Sequence, residues 1–213
     1  MYTRLNTILL PEDTSLGLIL KTAHQIFSGR PQELFHIDNR DYFAHLTLYS
    51  PEYPSKNLAQ VSREVEKISR DLSPITLNFQ DLFTGWGFVG LDYTKDRTVD
   101  SLHHRVLNAL NPLRDGHLRE KYAAGLKQNK YPSQEANYIR QYGYPNILSN
   151  FHPHITLGKF SGEDLAIRAK ELFDTALIPT YITFSQLAVS EMGPYGTCTK
   201  ILSKFSLHHP SRV

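Results

Sequence analysis

The chain has 213 residues, a formal net charge of +2, 40% hydrophobic residues and 21% charged residues. That length fits one domain with two lobes or two small domains, and that charge excludes a strong nucleic-acid-binding field over the whole chain. The single cysteine, Cys198, excludes an intrachain disulfide, and no apolar run suits a signal core or a membrane span, so we expect a cytoplasmic protein.

Alternation of apolar and polar residues and the placement of turn residues predict a mixture of strands and helices in chain order. Besides a strand around His154, the predicted strands are 5–10, 34–37, 42–50, 75–83, 86–93, 180–191 and 197–207. The predicted helices are 14–28, 57–72, 99–110 and 161–176. Thr14 or Ser15 is the expected N-cap of the first helix, and Ser161 with Asp164 that of the last.

Two stretches share a His-x-Thr-Leu pattern. They are His45-Leu46-Thr47-Leu48 and His154-Ile155-Thr156-Leu157. Read as strands, each places its histidine and threonine on one face and its two aliphatic residues on the opposite face, toward a core. The sequence therefore predicts two matching half-sites.

The elements that follow the two motifs also repeat, in the order helix, strand, turn, strand. We interpret this order as an internal structural repeat, with motif units at about 42–93 and 152–207 of a single domain spanning 1–213. The repeat predicts an α+β fold with two similar lobes and a cleft between them.

Residues 114–150 have no counterpart in the second unit, and they interleave tyrosines with lysines and arginines. Such a segment can stack bases and hold phosphates, or it can be a helical insertion that packs its tyrosines on the body. Because it leads directly into the second motif, we expect it at the rim of the cleft.

Two facing imidazoles suit general acid–base chemistry near neutral pH, and two hydroxyls beside them can hydrogen-bond a tetrahedral anion. The pattern thus points to phosphoester chemistry without a metal or cofactor. The expected catalytic residues are His45, Thr47, His154 and Thr156, with His154 as the base and His45 as the acid.

The two motifs resemble those of the two-histidine (2H) phosphoesterase superfamily, which is defined by two His-x-Thr/Ser-x motifs. Pro153 before the second histidine and the helix-then-hairpin order after each motif are also similar to family members. Gln134 and Tyr142-Gly143-Tyr144-Pro145 resemble a branch of uncharacterised bacterial members from phosphonate-utilisation loci. In residue identity, the resemblance covers only the motif strands and their edges.

The resemblance implies a bilobal fold with pseudo-twofold symmetry, built from two antiparallel sheets flanked by helices. It also implies metal-independent hydrolysis or transesterification of RNA-type phosphodiesters, such as 2′,3′-cyclic phosphates or 2′–5′ linked ends. We therefore expect a small cyclic phosphate or an RNA end as substrate. We also expect a monomer without an obligate protein partner.

Four further residues are expected to touch the substrate: Tyr49, Tyr144, His152 and Lys159. Tyr49 falls on the His45 face, where a packing role is an equal alternative, and His152 shares a face with His154. Lys159 stands where many RNA-processing members carry arginine, so it would hold phosphate as a point charge rather than by a bidentate pair.

Two alternative functions stay open from the sequence. One is a binding module of the same fold that holds a nucleotide or RNA end without turnover. The other is a zinc hydrolase using His152 and His154, since His-x-His on a strand can bind zinc. The other histidine pairs, His103-His104 and His208-His209, are expected at the surface, and Trp86 in the core.

Overall fold

The computed structural model describes residues 1–173 and 178–208 and has the expected α+β fold. Its strands are β1 (Tyr2–Pro11), β2 (Glu33–His36), β3 (Leu46–Tyr49), β4 (Glu52–Pro54), β5 (Ile75–Gly85), β6 (Phe88–Tyr93), β7 (His154–Phe160), β8 (Tyr181–Met192) and β9 (Cys198–Ser206). Its helices are α1 (Asp13–Phe27), α2 (Leu58–Arg70), α3 (Arg97–Leu110), α4 (Glu120–Lys127), α5 (Ser133–Tyr142) and α6 (Glu163–Glu171). No helix within these described ranges has both the length and the apolar character needed to cross a membrane.

The strands pair antiparallel in one hydrogen-bonded sheet with two halves. In one half, β1 pairs with β3, β4 and β8, and β8 pairs with β9. In the other half, β7 pairs with β2 and β6, and β5 pairs with β6. Two pairings join the halves. Strand β3 pairs with β7 through Leu46 and Ile155, and β8 pairs with β5 over residues 181–184 and with β1 over residues 184–191.

The two repeats exchange their hairpins. The β5–β6 hairpin follows the first motif in sequence, yet it pairs through β6 with β7, the strand of the second motif. The β8–β9 hairpin follows the second motif, yet it pairs with β1, which lies beside the first motif strand β3. Each motif strand is therefore held in a sheet with strands from outside its own sequence unit.

The apolar alternates of both motif strands lie in the core, as expected. Leu46, Leu48, Ile155 and Leu157 are all fully buried. Helix α3 packs against β3, α2 packs against β8 and β9, and α6 packs against β5, β6 and β7. This packing fixes the two motif strands from behind and leaves their histidine-bearing faces open.

Some predicted boundaries were wrong for local reasons. The first motif strand begins at Leu46 rather than at residue 42, because the Asp38 carboxylate accepts hydrogen bonds from the backbone N–H groups of residues 40–42 and folds them into a turn. Helix α6 ends at Glu171, and Ala176, its predicted end, lies outside the described residues. The predicted N-caps were also wrong: Glu12 and Gly162 precede α1 and α6 without a side-chain cap.

The predictions for His103 and Trp86 were both wrong. His103 is fully buried, and both of its ring nitrogens have hydrogen-bond partners. Nδ1 donates to the Leu48 carbonyl and Nε2 accepts from the Leu148 N–H, each at 2.9 Å. Trp86 is 89% exposed, because it forms the tip of the β5–β6 hairpin. His209 lies outside the described residues.

Candidate active site

Both motif histidines are held by the same backbone contact. Nδ1 of His45 donates to the carbonyl of Phe43 at 2.9 Å, and Nδ1 of His154 donates to the carbonyl of His152 at 2.8 Å. A carbonyl can only accept, so each neutral ring carries its proton on Nδ1 and leaves Nε2 as the atom that takes up a proton. The two half-sites thus present imidazoles in matching tautomers.

The motif strands meet each other directly. Leu46 pairs with Ile155 in the antiparallel β3–β7 ladder, so His45 falls opposite Thr156 and Thr47 opposite His154. The two histidines are diagonal neighbours on one face, a relationship that separates residues by roughly 7–8 Å. Each imidazole consequently has the other motif's hydroxyl as its cross-strand neighbour.

This face forms the floor of a cleft of about 370 Å³, lined by His45, Thr47, His154 and Thr156 together. The four predicted catalytic residues therefore share one cavity. The cleft has space for a phosphate group and for a larger substituent attached to it.

The electrostatic surroundings of the two histidines differ. Burial lowers the pKa of His45 to about 4, with His154 contributing in the same direction and the Phe43 carbonyl opposing it. Asp92 lies opposite His154 in the β6–β7 ladder, and burial raises the pKa of its carboxyl group against the influence of His154 and His152. At physiological pH His45 is thus a neutral imidazole, whereas His154 has a carboxyl group for a neighbour.

Asn6 and Phe83 support the site from outside the motifs. The side-chain amide of Asn6 donates to the Thr47 hydroxyl at 2.9 Å, and Asn6 is fully buried in β1. The ring of Phe83 packs edge-on against His154, with the ring centres 5.6 Å apart. Gly90 leaves room for that ring, since a Cβ atom there would collide with Phe83 and lie 2.6 Å from the Ile155 carbonyl oxygen.

Two exposed aromatic residues stand at equivalent hairpin tips and line the cleft. Trp86 ends the β5–β6 hairpin with a φ of 52°, and Tyr195 ends the β8–β9 hairpin with a φ of 58°. Each is followed by a glycine that also has positive φ, Gly87 or Gly196. Positive φ is unfavourable for bulky side chains and often marks a functional position.

The four predicted substrate residues lie in different surroundings. Tyr144 lines the cleft, and His152 lines an adjoining recess beside Thr47 and His154. Lys159 is partly exposed and donates to the Trp86 carbonyl, with its ammonium group 4.0 Å from the centre of the Phe88 ring. Lys159 therefore braces the hairpin tip at the edge of the cleft.

The prediction for Tyr49 was wrong. Tyr49 is fully buried, and its hydroxyl donates to the Tyr142 carbonyl at 2.5 Å, so it ties β3 to the end of α5 and does not reach the cleft.

Sequence reasoning missed Arg4 and Asn6. Both stand on β1, two residues apart, and Arg4 lines the cleft. The sequence signal for them is weak, because they are two of several polar residues in β1, which also contains Thr3 and Thr7.

The described residues contain no group of three or more His, Cys, Asp or Glu side chains arranged to hold a metal ion.

Comparison with known proteins gives the family. The model of a family described as "Protein of unknown function (DUF1045)" matches residues 51–192, about two thirds of the chain. The chain belongs to the DUF1045 family. The match begins just after the first motif and includes the second. No curated protein matches the sequence of this DUF1045 chain significantly.

Three solved structures share the fold of this DUF1045 protein over nearly its whole length. LigT of E. coli, crystallised with phosphate, is 16% identical with a TM-score of 0.53, and 98% of this chain and 99% of LigT are covered. TT0787 of Thermus thermophilus is 16% identical with a TM-score of 0.60, over 97% of this chain and 99% of TT0787. A structure described as a phosphoesterase is 17% identical with a TM-score of 0.54, over 97% and 99%. LigT and TT0787 are 2H phosphoesterase superfamily members, so the predicted 2H fold is confirmed.

Proposed function

We propose that this protein is a metal-independent phosphodiesterase that acts on RNA-type or nucleoside 2′,3′-cyclic phosphates, or on 2′–5′ linked ends. The observation that carries the proposal is the pair of imidazoles on one cleft floor, each with Nδ1 bonded to a backbone carbonyl and Nε2 left to exchange protons. LigT, which shares the fold, has been crystallised with phosphate and with 3′-AMP. Both ligands are of the kind that such a cleft would hold.

In the proposed reaction, water attacks the phosphorus atom and loses its proton to Nε2 of one histidine. The bond from phosphorus to the leaving ribose oxygen breaks, and that oxygen takes a proton from Nε2 of the other histidine. The lowered pKa of His45 supports His45 as the base and His154 as the acid, the reverse of the expectation from the sequence.

Thr47 and Thr156 would donate hydrogen bonds to the non-bridging oxygens as negative charge develops on them. The Asn6 contact supports this role for Thr47, because the Thr47 oxygen already accepts from Asn6 and its own proton is free to point elsewhere.

The two hairpin-tip aromatics favour a substrate with a base. Trp86 is 89% exposed and Tyr195 is 56% exposed, and both line the cleft that contains the histidines. Exposed aromatic faces at a phosphate site are suited to stacking on nucleobases. A monomeric, cytoplasmic enzyme with a small cyclic phosphate or RNA end as substrate remains the working expectation.

The test is turnover of a panel of nucleoside 2′,3′-cyclic phosphates and 2′–5′ linked dinucleotides in the presence of EDTA, by wild type and by His45→Ala. His24→Ala, a substitution of an exposed histidine on α1, is the matched control. Turnover that survives EDTA and is lost only in His45→Ala supports the proposal. Binding without turnover would favour the non-catalytic module, and activity abolished by EDTA and restored by zinc would favour the zinc hydrolase.

A further inference from the structure

Arg4 is a cleft residue without an ion-pair partner among the described residues. It lines the same cavity as His45 and Thr47, and its Nε is buried with no hydrogen-bond partner in the described chain. A guanidinium group that is partly dehydrated and unpaired is costly, and such groups are commonly retained to bind anions.

The surroundings of Arg4 are mainly basic. Burial is the largest cause of the lowered pKa of Arg4 and of Lys121, and the charge of Arg119 lowers the pKa of both further. Nη1 of Arg119 is also buried with no partner among the described residues. The three cations thus lie close enough to affect one another, and Arg4 is the one that lines the cleft.

Glu52 is the acid in this cluster, and it is already engaged. It lies opposite Arg4 in the β1–β4 ladder. Its two carboxylate oxygens, however, contact Nε2 of His117 at 2.8 Å and Nε of Arg119 at 3.2 Å. One carboxylate cannot neutralise three cations, so the cluster keeps a positive charge that faces the cleft through Arg4.

Arg4 lies in the same cleft as the catalytic residues but at a distance from them. Asn6 bonds directly to Thr47, and Arg4 is two residues from Asn6 on the same face of β1, about 7 Å further along the strand. Tyr144 lines the wall of the cleft near Arg4. A group bound by Arg4 would therefore be joined to the reacting phosphate through an intervening sugar.

We propose that Arg4, with Arg119 and Lys121 behind it, forms a second anion subsite, which selects substrates that carry another phosphoryl group on the 5′ side of the cyclic phosphate. This inference rests on the proposed function for the identity of the first phosphate. The second phosphoryl group can be a terminal monoester of a mononucleotide or the diester that links the nucleotide to a preceding one. Both present the oxygens that a guanidinium group binds bidentately.

The kinetic test compares adenosine 2′,3′-cyclic phosphate with its 5′-phosphorylated form and with a dinucleotide ending in 2′,3′-cyclic phosphate. We expect kcat/KM to be about 10- to 100-fold higher for the phosphorylated substrates, the size of one charge-assisted hydrogen-bond pair. Arg4→Gln should reduce this ratio of kcat/KM values to near 1, and Arg4→Lys should keep part of the preference. The control Arg63→Gln, at an exposed position on α2, should keep the full preference. A gain confined to the monoester identifies a mononucleotide substrate, and an equal gain for the dinucleotide identifies an RNA end.

A binding test separates failure of this subsite from failure of the proposed reaction. The dissociation constants of adenosine 3′,5′-bisphosphate and adenosine 3′-monophosphate are measured by calorimetry, which needs no turnover. In wild type, we expect the bisphosphate to bind about 10- to 100-fold more tightly than the monophosphate. In Arg4→Gln, we expect the two ligands to bind with equal affinity. Equal affinities in wild type, or a preference that survives Arg4→Gln in a folded variant, would overturn the subsite even if cyclic phosphates are hydrolysed.

Discussion

The side-chain amide of Asn6 donates a 2.9 Å hydrogen bond to the hydroxyl oxygen of Thr47. This bond joins β1 to the first motif strand and comes from a residue that is fully buried. Because the Thr47 oxygen is occupied as an acceptor, its proton is directed toward a different partner, and the developing charge on phosphate is the one that the proposed reaction supplies.

Thr47→Val should lower kcat by about 10²-fold, the lower end of the cost of losing one oxyanion donor, while Thr47→Ser should keep most of the activity. Asn6→Leu should lower kcat by roughly 5- to 10-fold, as expected for one positioning hydrogen bond. In a double-mutant cycle, Asn6→Leu should have no further effect on kcat in the Thr47→Val background. Full additivity of the two changes would show that Asn6 does not act through Thr47.

The pH dependence of kcat/KM should identify the base. If His45 accepts the proton, the acid limb of the profile follows its pKa of about 4. The profile is measured with a cyclic nucleotide under conditions where the protein stays folded. An acid limb centred well above the lowered pKa of His45 would show that His45 is not the base.

His103 should make the folded protein sensitive to acid. Burial lowers its pKa from 6.5 to about 4, so the unfolded chain binds more protons than the folded one between these values, and stability falls as the pH falls through this window. The loss amounts to roughly 3 kcal/mol for this side chain. Denaturant unfolding of wild type and His103→Gln at pH 7 and pH 4.5 measures it.

His103→Gln keeps a donor and an acceptor but does not titrate, so its free energy of unfolding should fall less between the two pH values. Equal losses in the two proteins would mean that His103 does not carry the effect. His45 has a similarly lowered pKa and is unchanged in both proteins, so its contribution cancels in the comparison.

Gly90 should resist substitution because it makes room for Phe83 beside His154. Gly90→Ala places a methyl group against the Phe83 ring and the Ile155 backbone, so we expect a loss of about 1–3 kcal/mol in stability and a fall in kcat. Gly17→Ala, in α1 and away from the cleft, meets no atom within 4 Å and should lower neither stability nor kcat. Thermal unfolding and turnover of both variants check this, and similar behaviour of the two would contradict the packing argument.

The motif residues could be predicted from sequence because their pattern has a direct structural meaning. A period of two in the apolar positions of both motifs placed Leu46 and Ile155 in the core and the histidines on the opposite face. The burial of His103 could not be predicted in this way, since it depends on Leu148 and Phe151, which are distant in sequence. The same limit applies to Arg4, whose importance depends on Arg119 and on the cleft.

The hairpin exchange between the repeats was also beyond sequence reasoning. A repeated order of elements predicts two similar units, but it does not predict that β6 of the first unit pairs with β7 of the second. The prediction that Tyr49 touches the substrate failed for a related reason. Alternation predicts the face of the strand on which a residue lies, but not which part of the chain covers that face, here the end of α5.

The kcat of His45→Ala, His154→Ala and the double variant on a nucleoside 2′,3′-cyclic phosphate, in EDTA and with His24→Ala as control, tests the central claim most directly. If the two imidazoles act as one acid–base pair, kcat of each single variant should fall by about 10²–10⁴-fold. The kcat of the double variant should then be close to that of the less active single variant. Losses below about threefold in both single variants, with the proteins folded, would contradict the account.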